Sequence, residues 1–234
     1  MTPAQSRGRV LVTGSNRGIG LELVRQYADD GYDVIATCRN PDRATTLQEI
    51  DGAITIRRLD VASEPDLEQL VSDVAGAPID VLIGNAAVFG GLRSRFGGEI
   101  DWAAWRTTLE VNLVGTMRVA LSLVPNVAAS EQRKMVFLSS RAGLPREATP
   151  NRSYIYASSK AALNSAVRCL ALDLAEVGVI AALLNPGHVQ SGIGGLKAPM
   201  TPAESVTKLR AVIANLTPAD AGKFLHFDGA ELSL

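Results

Sequence analysis

The chain has 234 residues, 47% apolar and 20% charged, which is enough to bury the core of one large α/β domain. Its formal net charge is −1 with a sequence pI near 6.1, and no run of five or more like charges occurs. That balance excludes electrostatic recruitment to nucleic acid or an anionic membrane and leaves a small molecule as the expected partner.

Cys38 and Cys169 have no metal-ligand spacing to each other or to His188 and His226, so neither a disulfide framework nor a metal site is expected. Residues 1–8 are polar, and no apolar stretch is long enough to span a bilayer. The expectation is a cytoplasmic protein.

In chain order, short apolar runs bounded by Gly, Asp or Asn predict strands at 9–13, 33–38, 54–59, 81–84, 135–139, 179–184 and 224–227. Segments with helical periodicity lie between them at 18–30, 42–50, 65–74, 102–127 and 153–177. Alternating strands and helices imply a single α/β domain over 1–234, a doubly wound, parallel, seven-stranded sheet of Rossmann type with helices on both faces. Continuous apolar strands such as Val81-Leu82-Ile83 suit a sheet covered on both sides. The Gly/Pro-rich stretch 186–202 follows a predicted strand end, where α/β sheets bind ligands, and is expected to form a mobile substrate loop.

After the first strand comes Thr13-Gly14-Ser15-Asn16-Arg17-Gly18-Ile19-Gly20, then an apolar-periodic helix with Leu21, Leu23, Val24 and Tyr27. Glycines let the backbone turn tightly against a pyrophosphate, and the free N–H groups and dipole of the following helix favour the anion. The spacing T-G-x-x-x-G-x-G resembles the glycine motif of the short-chain dehydrogenase/reductase family. Further stations resembling that family follow in order over nearly the whole chain: Asp60-Val61, Asn85-Ala86-Ala87, Asn112, Ser140, Tyr156 to Lys160, and Pro186-Gly187. The late sequence 216–225 and the short end after Asp228-Gly229 look most like the small carbonyl-reductase-like branch that includes C-factor-type proteins.

An acidic residue at the end of the second strand would hydrogen-bond the ribose of NAD and repel a 2′-phosphate. Here the sequence is Thr37-Cys38-Arg39, and Arg39, with Arg17 in the glycine turn, offers positive charge to that phosphate, so NADP(H) is expected over NAD(H). The bland reading of either arginine is a solvated surface charge. The resemblance implies that Asp60 bonds the adenine amino group with Val61 beside the ring, and that Asn85-Ala86-Ala87 line the adenosine side. Gly84-Asn85-Ala86-Ala87 departs at both ends from the family's usual N-N-A-G, and a turn or capping carboxylate is the alternative for Asp60.

Tyr156 and Lys160, four residues apart in a helical segment, project from one face. A nearby ammonium stabilises phenolate, so Lys160 is expected to lower the Tyr156 pKa and make the phenol a usable acid or base. A bare Y-x-x-x-K would otherwise be a surface pair. Tyr154 lacks such a partner, having Ser158 four residues on, and reads as a pocket or packing residue. Ser140, at the end of the strand 135–139, is expected to polarise a substrate carbonyl, favoured over Ser139 by its family-like distance to Gly143. The resemblance implies that Asn112 holds a water linking Lys160 to solvent; a buried asparagine satisfied by backbone is the alternative.

Pro186, Gly187, Val189 and Ser191 resemble the family's P-G-x-V-x-T station, which fixes the nicotinamide carboxamide, with serine in place of threonine. His188 reads as a loop residue. The insertion 145–152 and the apolar residues Phe89, Leu144, Tyr154 and Ile193 are expected to shape the substrate pocket. Together these readings imply interconversion of a ketone or aldehyde and an alcohol by hydride transfer. The alternatives are an NADP(H)-binding sensor with little turnover, or a sugar-nucleotide epimerase, which would need a larger C-terminal region. The resemblance also implies a homodimer or homotetramer packed through 102–127 and 153–177.

Overall fold

The structure is a computed structural model that describes residues 6–91, 99–149 and 153–234. Its centre is one sheet in the order β3-β2-β1-β4-β5-β6-β7-β8. The strands are β1 (Arg9–Val12), β2 (Asp33–Cys38), β3 (Ile54–Arg58), β4 (Val81–Gly84), β5 (Lys134–Leu138), β6 (Ile180–Asn185), β7 (Phe224–His226) and β8 (Glu231–Leu232). The first seven pair in parallel, as expected. The eighth is a correction to the seven-stranded expectation: β8 folds back antiparallel on β7, and two residues are too few to show a period in sequence.

The period-two alternation of side chains divides the core. Leu11, Leu82, Met135, Phe137 and Leu183 face a layer containing Val119, Leu123, Leu163, Val167 and Leu170. Their neighbours Val10, Val12, Ile83, Val136 and Leu184 face Leu23, Val24, Val206, Leu209 and Ile213 on the other side. The helices are α1 (Gly18–Asp29), α2 (Thr45–Gln48), α3 (Glu64–Asp73), α4 (Trp102–Leu109), α5 (Thr116–Ser122), α6 (Val124–Ala128), α7 (Tyr154–Leu174) and α8 (Pro202–Ala214), and all but α4 supply these layers.

Three helical expectations change. The segment 42–50 is a 3-10 turn, Pro41–Arg43, followed by the single turn α2, because Ala44 between them leaves helical geometry at φ −91°, ψ 52°. The long helix expected at 102–127 is divided twice. A π turn, Glu110–Gly115, separates α4 from α5, and Leu123 leaves the helix before Pro125, which has no N–H to continue the ladder. Helix α8 was not expected, although Thr201 and Glu204 form a reciprocal capping box with Pro202 at the first position. Its last carbonyls, Ile213 O and Ala214 O, accept hydrogen bonds from the buried Lys134 Nζ at 2.9 Å each, a cation where the helix dipole is negative.

Strand order reverses at β1, so the turns after β1 and β4 diverge to opposite faces and open a crevice at the carboxyl edge. Gly143 sits beside this crevice, pressed against α7. A Cβ there would lie 2.7 Å from Lys160 C and 2.8 Å from Ala161 N, both backbone atoms that cannot swing away. Gly143→Ala is therefore expected to lower stability by about 1–3 kcal/mol through overpacking, read as a lower denaturant midpoint at unchanged slope.

Candidate active site

The glycine turn is built as a floor without side chains. Gly14 and Gly18 hold positive φ of 68° and 57°, a region open to glycine, and a Cβ on Gly14 would meet Ala86 Cα at 2.9 Å. Arg17 caps α1 without offering a side-chain acceptor, and no acidic residue stands in the first turn. The helix therefore presents its first N–H groups and positive dipole end to the crevice. Gly14, Asn16, Arg17, Gly18 and Ile19 line that crevice.

Two residues of the motif face elsewhere. Ser15 is fully buried, its hydroxyl donating to Val12 O at 2.8 Å and its N–H to Thr37 O at 2.8 Å, so it braces the sheet. Gly20 packs against the turn, where a Cβ would lie 2.3 Å from Gly14 O. Sequence placed both at the cofactor because they share the motif; the burial of one and the close packing of the other assign them to its support.

At the end beside β2 and β3 the crevice is lined by Cys38, Arg39, Asp60, Val61, Asn85, Ala86 and Ala87. Arg17 and Arg39 are exposed, and neither makes an ion pair among the described residues. Asp60 also serves its turn, with Oδ1 accepting from Ala62 N at 3.1 Å. Asn85 ties two strands together, Nδ2 donating to Thr13 O at 2.8 Å and to Gly14 O at 2.9 Å. Thr13 Oγ1 accepts from the N–H groups of Asn85 and Ala86, both at 3.0 Å. Thr13 opens the T-G-x-x-x-G-x-G motif, but sequence assigns it no role, because its partners Asn85 and Ala86 lie more than seventy residues away.

The other end of the crevice widens into a cavity of about 750 Å³ that contains Ser140, Tyr156 and Lys160. Ser153 caps α7 by accepting from Tyr156 N at 3.4 Å, which starts the helix just before the tyrosine. Burial pushes the Tyr156 hydroxyl up to about 12, against the opposing effect of its hydrogen bond to Ser140. Lys160 Nζ donates to Leu138 O at 2.8 Å and lies 5.8 Å from the Tyr156 ring centre. Burial pushes this ammonium down to about 8. The expectation that Lys160 lowers the Tyr156 pKa is thus corrected: burial raises it, and the opposing effect comes from Ser140.

Ser139 and Ser140 both line the cavity, but the buried Ser139 commits its hydroxyl to Asn164 Oδ1. Asn112 lies in the π turn and is fully buried. Its amide donates to Val88 O at 2.9 Å and to Ser159 Oγ at 3.0 Å, and its Oδ1 accepts from Val88 N at 2.8 Å. Both N–H groups are occupied, so the side chain clamps the segment after β4 to α7. Ser159 and Asn164 were missed because their partners are distant in sequence.

Pro186, Gly187, Val189 and Ser191 line the same cavity. The segment between them and α8 is closed by its own hydrogen bonds: Gln190 N to Met200 O at 2.9 Å, Gln190 Nε2 to Ala198 O at 3.0 Å, and Gly194 N to Ser191 Oγ at 3.0 Å. His188 bonds Gly194 O at 2.9 Å. Of the apolar contacts expected, Phe89 and Ile193 line the cavity, with Phe89 5.2 Å from the Tyr156 ring. Leu144 is in the core, and Tyr154 is exposed beside a separate hollow with Thr149 and Ala157. Two residues turn an α-helix by about 200°, which puts Tyr154 on the face opposite Tyr156. Of the insertion expected to shape the pocket, 150–152 lie outside the described residues.

A model of the short chain dehydrogenase family matches residues 8–200. The C-signal protein of Myxococcus xanthus is 35% identical over 166 residues, which cover 71% of this chain and 99% of that protein. Carbonyl reductase Sniffer of D. melanogaster has a TM-score of 0.90 at 26% identity, with 97% of this chain and 99% of that chain covered. An NADPH-bound carbonyl reductase from chicken fatty liver has a TM-score of 0.87 at 26% identity, covering 98% of this chain and 100% of that chain. The motifs, the sheet order and these likenesses lead to one conclusion: the chain belongs to the short-chain dehydrogenase family and is an oxidoreductase acting on CH–OH and C=O groups.

Proposed function

We propose that the protein is an NADP(H)-dependent reductase of ketones or aldehydes, running in reverse as an alcohol dehydrogenase, with Tyr156 as its proton donor and acceptor. The observation that carries this reading is the meeting of Tyr156, Ser140 and Lys160 at one end of a crevice whose other end is a side-chain-free glycine floor. A dinucleotide fits that floor on physical grounds, through positive-φ glycines, an uncapped helix N-terminus and two exposed arginines. Bound there, a reduced nicotinamide supplies hydride to the carbonyl carbon.

The chain's own groups manage the proton. Tyr156 donates from its hydroxyl to the substrate oxygen, and Ser140 donates a hydrogen bond to the same oxygen as negative charge builds on it. Lys160 would hold the nicotinamide ribose, and its positive charge stabilises the phenolate left on Tyr156. Asn112, with its side chain committed to Val88 and Ser159, serves as a positioning residue for the tyrosine helix. Gly14, Asn16, Arg17, Gly18 and Ile19 would receive the pyrophosphate, Asp60, Val61, Asn85, Ala86 and Ala87 the adenosine, and Pro186, Gly187, Val189 and Ser191 the nicotinamide. The NADPH-bound carbonyl reductase among the similar structures supports the choice of cofactor, as does the arginine at the end of β2.

The reading extends to a cytoplasmic homo-oligomer. Cys38 and Cys169 are free thiols, and no helix among the described residues is long and apolar enough to cross a membrane. Leu121 and Leu172, on the helices expected to pair, are exposed. A second reading, an NADP(H)-binding signalling protein with little turnover, is favoured by the likeness to the protein named C-signal.

Consumption of NADPH and NADH with a panel of aldehydes, diketones and bulky ketones separates the two. Turnover with NADPH that falls about 10²- to 10⁴-fold in Tyr156→Phe supports the reductase, whereas tight NADPH binding without turnover favours the signalling protein. Arg39→Asp should cut the preference for NADPH over NADH by about tenfold or more, the loss of one charge-assisted phosphate contact, measured as the ratio of kcat/KM values. With Lys160 titrating near 8, kcat/KM for NADPH should decline above about pH 8 as the ammonium loses its proton. A profile level to pH ~10 would mean that Lys160 stays charged there, near its unperturbed pKa.

A further inference from the structure

Both histidines of the chain, His188 and His226, line the cavity that contains Tyr156 and Ser140. The other ionisable side chains of basic type on that wall are Arg141 and Lys160, and no aspartate or glutamate lines it among the described residues. The nearby acids act from outside the lining: Glu147 pairs with Arg141 at 2.7 Å, and Asp228 pairs with His226 Nδ1 at 3.2 Å. A cavity lined by one sign of charge selects the opposite sign in its ligand. Phe89, Ile193, Pro199 and Met200 give the wall an apolar stretch, beside the uncharged polar residues Asn85, Asn185 and Ser191.

His226 is held firmly. It ends β7, its N–H donates to Ala230 O at 2.7 Å, and its ring packs on Phe227 with centres 4.0 Å apart. Asp228 is fixed in the same turn by Ala230 N at 3.0 Å. Asp228 takes the Nδ1 side of the ring, and Nε2 has no partner among the described residues. His188 differs, because its Nε2 already donates to Gly194 O. A ligand carboxylate at His226 Nε2 would complete an imidazolium held between two carboxylates, a charge-assisted contact on each side.

We infer that the substrate is a carbonyl compound carrying a carboxylate on an apolar body, and that His226, positioned by Asp228, is the specificity-determining residue that receives the carboxylate while Tyr156 and Ser140 receive the carbonyl oxygen. The inference rests on the reductase reading above. A cavity of about 750 Å³ accommodates such a molecule with both ends engaged.

The test is NADPH-dependent reduction of keto carboxylic acids of graded chain length, each beside its methyl ester, by the wild type, His226→Leu and Asp228→Asn. One acid should exceed its ester in kcat/KM by about tenfold or more, and His226→Leu should bring that ratio toward unity through KM, with a smaller change in Asp228→Asn. Esters reduced as well as acids, or a ratio unmoved in His226→Leu, overturn the inference and leave the reductase standing. If nothing in the series is reduced, calorimetric titration of the saturated acids into the protein with NADP⁺ decides. Binding weakened about tenfold in His226→Leu sustains the carboxylate site, and absent or equal binding overturns it, whatever becomes of the reductase.

Discussion

Where the strand order turns back at β1, two neighbouring strands must release their chains to opposite faces, and their carbonyl and amide groups would be left without partners. The knot between Thr13 and Asn85 meets that demand. One hydroxyl accepts two backbone N–H groups, and one carboxamide returns two donors to the carbonyls of Thr13 and Gly14. With those groups satisfied, the turn after β1 can stay open and lined by glycine, and the segment after β4 can run along the cavity. Val88, three residues on, is then clamped by Asn112, which also holds Ser159 on α7. The glycine floor and the tyrosine helix are thereby joined through four polar side chains.

The same arrangement holds two ionisable groups, a buried lysine and a half-buried tyrosine, at the cavity. Lys160 gives one hydrogen bond to Leu138 O, and Tyr156 shares one with Ser140. Burial works against charge on both, lifting the phenol and depressing the ammonium. A group whose folded pKa lies below its unfolded value binds fewer protons when folded. Lys160 therefore detracts from stability below about pH 8, and the loss is relieved as pH rises toward its unfolded value near 10.4. The fold carries this burden at the position where a charged lysine has the largest effect on a neighbouring oxygen, because a low dielectric strengthens that interaction.

Much of this was legible in the sequence because the informative spacings are local. Tyr156 and Lys160 share a face by helical period, the glycine motif follows a strand, and the parallel strands are apolar throughout. What escaped was long-range or phase-dependent. Thr13 and Asn85 are 72 residues apart. Ser139 and Asn164 meet only after β5 and α7 pack, and the hydroxyl of Ser15 is consumed inside the turn that made it look like a ligand. Helix α8 carried a plain start signal in Thr201 and Glu204, obscured by the glycines and prolines before it. Apolar residues continue across 102–127, and the phase shift at the π turn Glu110–Gly115 was read through as one helix.

That π turn is a phase shift. A straight α-helix offers one stripe per face, yet this rod has to set Trp105 against Ser158 on α7 and, further on, set Val119 and Ala120 into the layer under the sheet. Widening the turn at Glu110–Gly115 rotates the second half relative to the first, so each half meets its own neighbour in its own frame. The register of the wall beside α7 is thus decided by the count of residues along the rod, much as a vernier is set by a single added division. Two sequences with equal apolar content but one residue more or less before Asn112 would share the architecture and still place their polar clamp on different sides of the helix.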